Sequence, residues 1–187
     1  MTDLMTRNIV NDLDLTALGE VVEAIQADPA KALVRFAVST RWTGQTSSTS
    51  RVQGYEIAGG HVERAFEIDA DEPLELLGRN SAPNPQELLM SALNACMTVG
   101  YVAGAAMRGI SLEKLEIETS GQLDLRGFLG LDDAVPAGYE AIDYVVHIRG
   151  DGTPEQFADI HRTVMATSPN YFNMARPIRM NGRLNLG

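Results

Sequence analysis

At 187 residues, 44% of them hydrophobic, the chain is long enough for one domain with a core of its own. Fifteen Lys and Arg against twenty-five Asp and Glu leave a net charge of −10, with no Lys/Arg cluster, which argues against a nucleic-acid partner. One cysteine excludes an intrachain disulfide, and MTDLMTRNIVNDLDL lacks the basic start and apolar stretch of a signal peptide, so a reducing, cytoplasmic location is expected.

Residues 1–12 show no clear period and read as a loosely docked tail. Leu15, Leu18, Val21, Val22 and Ile25 recur at helical spacing, so an amphipathic helix is expected over about 14–28, with Pro29 helping to stop it. Residues 1–31 are therefore taken as an N-terminal arm and 32–187 as the domain. From Ala32 the texture turns to strand: LVRFAVSTRW, the polar turn TGQTSS, then SRVQGYEIAGG and VERAFEIDA, an antiparallel hairpin or meander. Gly59-Gly60 is a turn and not a phosphate loop, because no helix start follows it.

DEPLELLGRNSAPNP (71–85) holds three prolines and a glycine and reads as a connecting loop. Asn84 is the expected N-cap and Pro85 the first residue of a long helix that runs to about Arg108, with Gly109 as its C-terminal stop. From Leu88 to Met107 that helix carries no charge. It is long enough to raise a membrane question, but Ser91, Asn94, Thr98, two glycines and five alanines favour a helix buried in a core. LEKLEIETSGQLDL alternates as a strand, RGFLGLDDAVPAGYE is a loop or ribbon tip, and EAIDYVVHIRG returns as a strand. Thr153-Pro154-Glu155 opens a second helix with Phe157, Ile160, Val164 and Met165 as its buried stripe; Ser168-Pro169 ends it, and PIRMNGRLNL closes the chain as a final strand. The order of elements is that of an α+β domain.

Chemistry concentrates at Cys96. A buried cysteine is inert unless something favours its thiolate, so its frame decides. Gly100 and Gly104 form a small-xxx-small pair on the same helix; such spacing lets two backbones approach closely, and a contact between two copies of the helix is expected there. Met90 and Met97 are gap-fillers, or the lining of an apolar pocket beside Cys96. Trp42 is expected in core or interface packing. His61, His147 and His161 lie in no metal-binding spacing and read as surface or strand-edge residues, so no metal or cofactor is expected.

Asn-Pro-Gln-Glu-Leu-Leu-x3-Leu-x2-Cys (84–96), with Gly109 closing the helix, resembles the OsmC/Ohr family, the osmotically induced and organic-hydroperoxide-resistance proteins. The resemblance covers about residues 33–186. It implies an OsmC-like fold in which antiparallel sheets wrap long central helices in an intertwined homodimer. It also implies that Cys96 attacks a peroxide O–O bond, that a second cysteine on the later helix resolves the product, and that an Arg–Glu pair holds the thiolate. Only Cys96 carries over cleanly. The second cysteine's place falls at Ser168, the Glu's at Gln86 with Glu87 next to it, and the Arg's at Gln45, flanked by Arg41 and Arg51.

The resemblance therefore implies a subgroup without the resolving cysteine: a one-cysteine thiol peroxidase for organic hydroperoxides, served by an external thiol reductant. Its candidate site residues are Cys96, Arg41, Arg51 and Glu87. The alternative is a non-catalytic dimer that binds a small apolar ligand, with Cys96 as core packing. Within one continuous helix Glu87 and Cys96 stand roughly 13 Å apart and on opposite faces. A shared site needs a second chain; otherwise Glu87 serves only the positive helix start.

Overall fold

The computed structural model describes residues 8–186. Residues 1–7 and 187, part of the expected tail and of the final strand's flank, lie outside them. The chain divides between Ser91 and Ala92 into two compact units.

In the first unit a small hairpin, β1 (Ile9–Val10) with β2 (Leu13–Asp14), precedes helix α1 (Leu15–Ala27). Asp14 caps α1 by accepting from the Thr16 and Ala17 N–H groups. A short 3-10 turn, Pro29–Ala32, follows. Strands β3 (Val34–Gly44) and β4 (Ser47–Ile57) then form an antiparallel hairpin whose turn is Gln45-Thr46, narrower than the expected TGQTSS.

The single strand expected over VERAFEIDA is two: β5 (Gly60–Val62) pairs with Tyr55–Ile57, and β6 (Glu67–Ala70) pairs with Ser48–Arg51. The break falls where β4 bulges. Register jumps from Phe36–Tyr55 to Val38–Val52, and Gly54 there has φ +92° with Val62 O so near that a Cβ would come within 2.5 Å of it. A bulge leaves an unpaired residue and bends the strand, so one neighbour cannot follow β4 along its whole length.

One face of this sheet carries Phe36, Val38 and Trp42, which are 72%, 58% and 75% exposed. Among the described residues of this unit no large apolar side chain is buried. Trp42 is thus not core among the described residues of this unit; its indole N–H donates to Gln45 O at 2.9 Å. What the unit does bury is Asp71, 1% exposed. Its carboxylate accepts from the Thr46 and Ser81 hydroxyls and from the Glu72, Arg79 and Ser81 N–H groups, at 2.8–3.2 Å. Those donors tie the loop that leads into the long helix. Burial pushes the Asp71 carboxyl up, but the Ser81 and Thr46 hydroxyls and the Ser81 N–H outweigh it and hold the group well below the usual carboxylate range.

Helix α2 (Pro85–Ala106) starts on a reciprocal cap: Asn84 Oδ1 accepts from Glu87 N–H and Glu87 Oε2 accepts from Asn84 N–H, each at 2.8 Å. It ends where expected. Gly109 has φ +69°, its N–H reaches Ala106 O, and Ile110 N–H reaches Ala105 O. By length and composition the helix could cross a membrane.

In the second unit, β7 (Leu112–Gly121) and β8 (Ile142–Gly150) form an antiparallel ribbon, with a turn of helix α3 (Leu125–Phe128) in their connection. Helix α4 (Pro154–Thr167) opens on a Thr153/Gln156 capping box, and Ser168 ends it. A further short helix, α5 (Pro169–Ala175), follows directly and was not expected. The core belongs to this unit: Leu93, Met97, Tyr101 and Ala105 recur every fourth residue along α2 and pack with Ile110, Ile160 and Val164.

Three expectations are corrected here. Gly100 and Gly104 seat Val164 and Ile160 of α4 in the same chain: a Cβ on either glycine would come 3.1 Å from the facing Cγ2. Burial of α2 is one-sided, because Val99, on the face away from the Leu93–Ala105 stripe, remains 69% exposed. Finally, 177–186 is not a strand among the described residues; Ile178, Met180, Leu184 and Leu186 alternate along it, 50–85% exposed. A strand needs a paired edge for its N–H and C=O groups, and this segment has none among the described residues.

Candidate active site around Cys96

Cys96 lies on the flank of α2, next to the buried stripe, and is half-buried. Along that flank Cys96, Gly100 and Gly104 are four residues apart. Opposite them on α4 and its end stand Ser168, Val164 and Ile160, also four apart. The helices therefore run antiparallel with small residues on α2 at every rung, and Cys96–Ser168 is the last rung. Ser168 Oγ donates to Cys96 Sγ at 3.4 Å. Ser168 is 5% exposed, and the Asn170 side-chain amide beyond it donates to Ala92 O at 2.8 Å.

The other flank of α2 is held to the ribbon: the Asn94 amide donates to Ile117 O at 3.1 Å and its carbonyl accepts from the Thr119 hydroxyl. One turn past Met97, the buried Tyr101 hydroxyl shares a hydrogen bond with His161 Nδ1. His161 is thus half-buried against α2, not a surface or strand-edge residue. Tyr144 leans on His161 and meets Tyr171 edge-on, with ring centroids about 6.2 Å apart in both pairs. Burial first, then the neighbouring Tyr144, pushes the Tyr101 hydroxyl up to about 12, so it stays protonated at any physiological pH. Burial and Tyr171 likewise raise Tyr144.

A cavity of about 230 Å³ opens in the same unit, lined among others by Leu93, Ile142, Tyr144, Tyr171 and Met174. Leu93 is one helical turn before Cys96, and the Tyr171 N–H bonds Ser168 Oγ. Met97 is fully buried and belongs to the core, not to a pocket beside the sulfur.

The remaining candidates lie in the first unit. Cross-strand pairing of Ser39 with Arg51, Arg41 with Thr49, and Arg51 with Glu67 places Arg41 and Arg51 on one face of the sheet, where they line a shallow cleft with Ser39, Thr49 and Glu67. Gln45 has φ +53° and its side-chain amide bonds Leu77 O. Glu87 is the cap of α2. Cys96 and Ser168 are thus brought together in one unit, and Arg41 and Arg51 in the other. Among the described residues no group of three His, Cys, Asp or Glu could hold a metal ion.

Sequence reasoning missed the Tyr101–His161–Tyr144–Tyr171 cluster. Only the helical register of His161 with Ile160 and Val164 hinted that it faces inward. It also missed Asp71, whose five donors come from residues up to 25 positions away.

The description "OsmC-like protein" belongs to the family model that matches residues 78–181, more than half of the chain. Solved structures with a similar fold include an OsmC-like protein from Mycoplasma pneumoniae, with TM-score 0.60 and 15% identity over 75% of this chain and 87% of that one. A putative osmotic stress induced and detoxification response protein from Psychrobacter arcticus gives TM-score 0.55 and 16% identity over 72% and 84%. The organic hydroperoxide resistance protein OsmC from Legionella pneumophila gives 0.50 and 19% over 76% and 90%. At such identities the likeness establishes the fold alone. No curated protein sequence matches the chain.

Proposed function

The chain belongs to the family of OsmC-like proteins, and from that premise we propose that it is a thiol peroxidase reducing organic hydroperoxides through Cys96 alone. One observation carries the reading: Cys96 is a half-buried residue and not a fully buried one, and its sulfur has a hydroxyl donor 3.4 Å away. A thiol needs both reach and a stabilised anion to act as a nucleophile.

In the proposed reaction the Cys96 thiolate attacks one oxygen of ROOH. An S–O bond forms, the O–O bond breaks, and the alkoxide takes a proton to leave as ROH, with sulfur oxidised to sulfenic acid. The chain holds no second cysteine. An external thiol therefore condenses with the sulfenic acid, releasing water and forming a mixed disulfide. A second external thiol then frees Cys96 and leaves as the disulfide of the reductant. A reducing compartment such as the cytosol supplies those thiols. The cavity beside Leu93 and Tyr171, lined mainly by apolar and aromatic side chains with Glu140 among them, suits the organic group of the substrate.

A homodimer belongs to the same proposal. The exposed face of Phe36, Val38 and Trp42, the exposed Val99 on α2 and the unpaired 177–186 segment all support a second copy as their cover. Arg41 or Arg51, paired with Glu87, is proposed as the cation–carboxylate element that such a copy brings to the thiolate.

The deciding experiment follows consumption of cumene hydroperoxide with dithiothreitol as reductant. Wild type is expected to turn over and Cys96→Ser to fall to the uncatalysed rate; equal rates sink the proposal. The cavity also suits the second reading, a binder of a small apolar ligand with an idle thiol. Alkylation of Cys96 separates the two: rapid reaction near pH 6 favours the peroxidase, and inertness up to pH 9 favours the binder.

A further inference from the structure

We infer that Ser168 is a positioning residue for Cys96, aiming its hydroxyl proton at the sulfur and stabilising the thiolate. The inference rests on the peroxidase reading for its catalytic meaning, though not for its geometry.

Ser168 has its other hydrogen bonds already placed. Its N–H donates to Val164 O at 2.8 Å, and its C=O accepts from Phe172 N–H at 3.0 Å. Its Oγ accepts from Tyr171 N–H at 3.4 Å. The hydroxyl's acceptor side is therefore turned to α5, and its single proton points to Cys96 Sγ. At 5% exposure, Ser168 offers little surface from which solvent could compete for that proton. A donor held on an anion favours the charged form, and bonds to charged acceptors are stronger than neutral ones.

The glycine ladder sets the distance. Gly100 and Gly104 let α4 approach α2 until Val164 and Ile160 are in contact with it, and the same approach brings Ser168, the next rung, to the sulfur. A methyl at Gly100 would separate the helices and lengthen the Ser168–Cys96 contact without touching either group. After O–O cleavage the sulfenic oxygen stands beside a hydroxyl, which cannot close an S–S bond. The same residue thus stabilises the attacking sulfur and leaves its oxidised form open to an external thiol.

The test is the pH profile of iodoacetamide alkylation at Cys96 in the full-length chain, with no peroxide present. Ser168→Ala is expected to raise the alkylation midpoint by about one pH unit and Ser168→Thr, which keeps the hydroxyl, to restore it. Gly100→Ala is expected to raise it as well, with Ser168 intact. An unchanged midpoint in Ser168→Ala overturns the inference. Should that variant fail to fold, the Gly100→Ala midpoint decides alone, and no shift there overturns it equally. The peroxidase assay stays separate. A shifted midpoint with no turnover in wild type keeps the positioning role and removes the enzyme, whereas turnover with an unmoved midpoint does the reverse.

Discussion

Gly100 and Val164 touch across the seam between α2 and α4: a Cβ added at Gly100 would come 3.1 Å from Val164 Cγ2. Val164 is 1% exposed and its neighbours are core residues, so it has little room to yield. In Gly100→Ala a helix-propensity gain of about 1 kcal/mol opposes an overpacking cost of about 1–3 kcal/mol. A net loss of up to about 2 kcal/mol is expected, read from urea unfolding of the variant against wild type. Stability higher than wild type shows that the seam is looser than this contact implies.

Asp71 makes the fold acid-sensitive. Its folded-state carboxyl is held below the unfolded value near 4, so its contribution is fully present above that value and declines as pH falls below it. Asp71→Asn places an amide donor among five donors and removes the charge. It is expected to melt several degrees lower at pH 7, with a flatter loss of stability between about pH 4 and pH 2. Parallel melting curves in that window, with equal slopes, contradict this role.

Glu87 has a capping role that can be separated from its proposed catalytic part. Glu87→Ala removes the acceptor for Asn84 N–H and is expected to cost about 1 kcal/mol. Glu87→Gln keeps an acceptor and should hold the melting temperature near wild type. If the carboxylate also pairs with Arg41 or Arg51 in the proposed cation–carboxylate element, Glu87→Gln lowers peroxide turnover with stability unchanged. Unchanged turnover confines Glu87 to the helix start.

The exposed apolar faces predict the assembly. Light scattering is expected to give twice the chain mass of 20.3 kDa. Val99→Asp, which puts a charge on the exposed face of α2, is expected to shift the mass toward a single chain. A wild-type mass near 20 kDa in dilute solution removes the dimer.

Much of this architecture was legible before any coordinates. Leu15–Ala27, the start of α2 at Pro85, its stop at Gly109 and the Thr153 cap all fell where local patterns put them. The β3–β4 hairpin and the β7–β8 ribbon did so too. The errors share a cause. The split of VERAFEIDA depends on a bulge in a different strand, the unformed strand at 177–186 on the lack of a paired edge among the described residues, and the seat of Gly100 and Gly104 on Val164 and Ile160 of a later helix, 64 and 56 residues further on.

Sequence by itself determined where the long helices α2 and α4 begin, because a cap is satisfied by residues three positions away: Asn84 with Glu87, Thr153 with Gln156. It also singled out the one thiol. Only the tertiary structure decided what that thiol meets, since Cys96 and Ser168 are 72 residues apart and are joined by how closely two helices pack. Local hydrogen bonds are written in neighbouring letters; a contact across a seam is set by the shapes of every side chain along it.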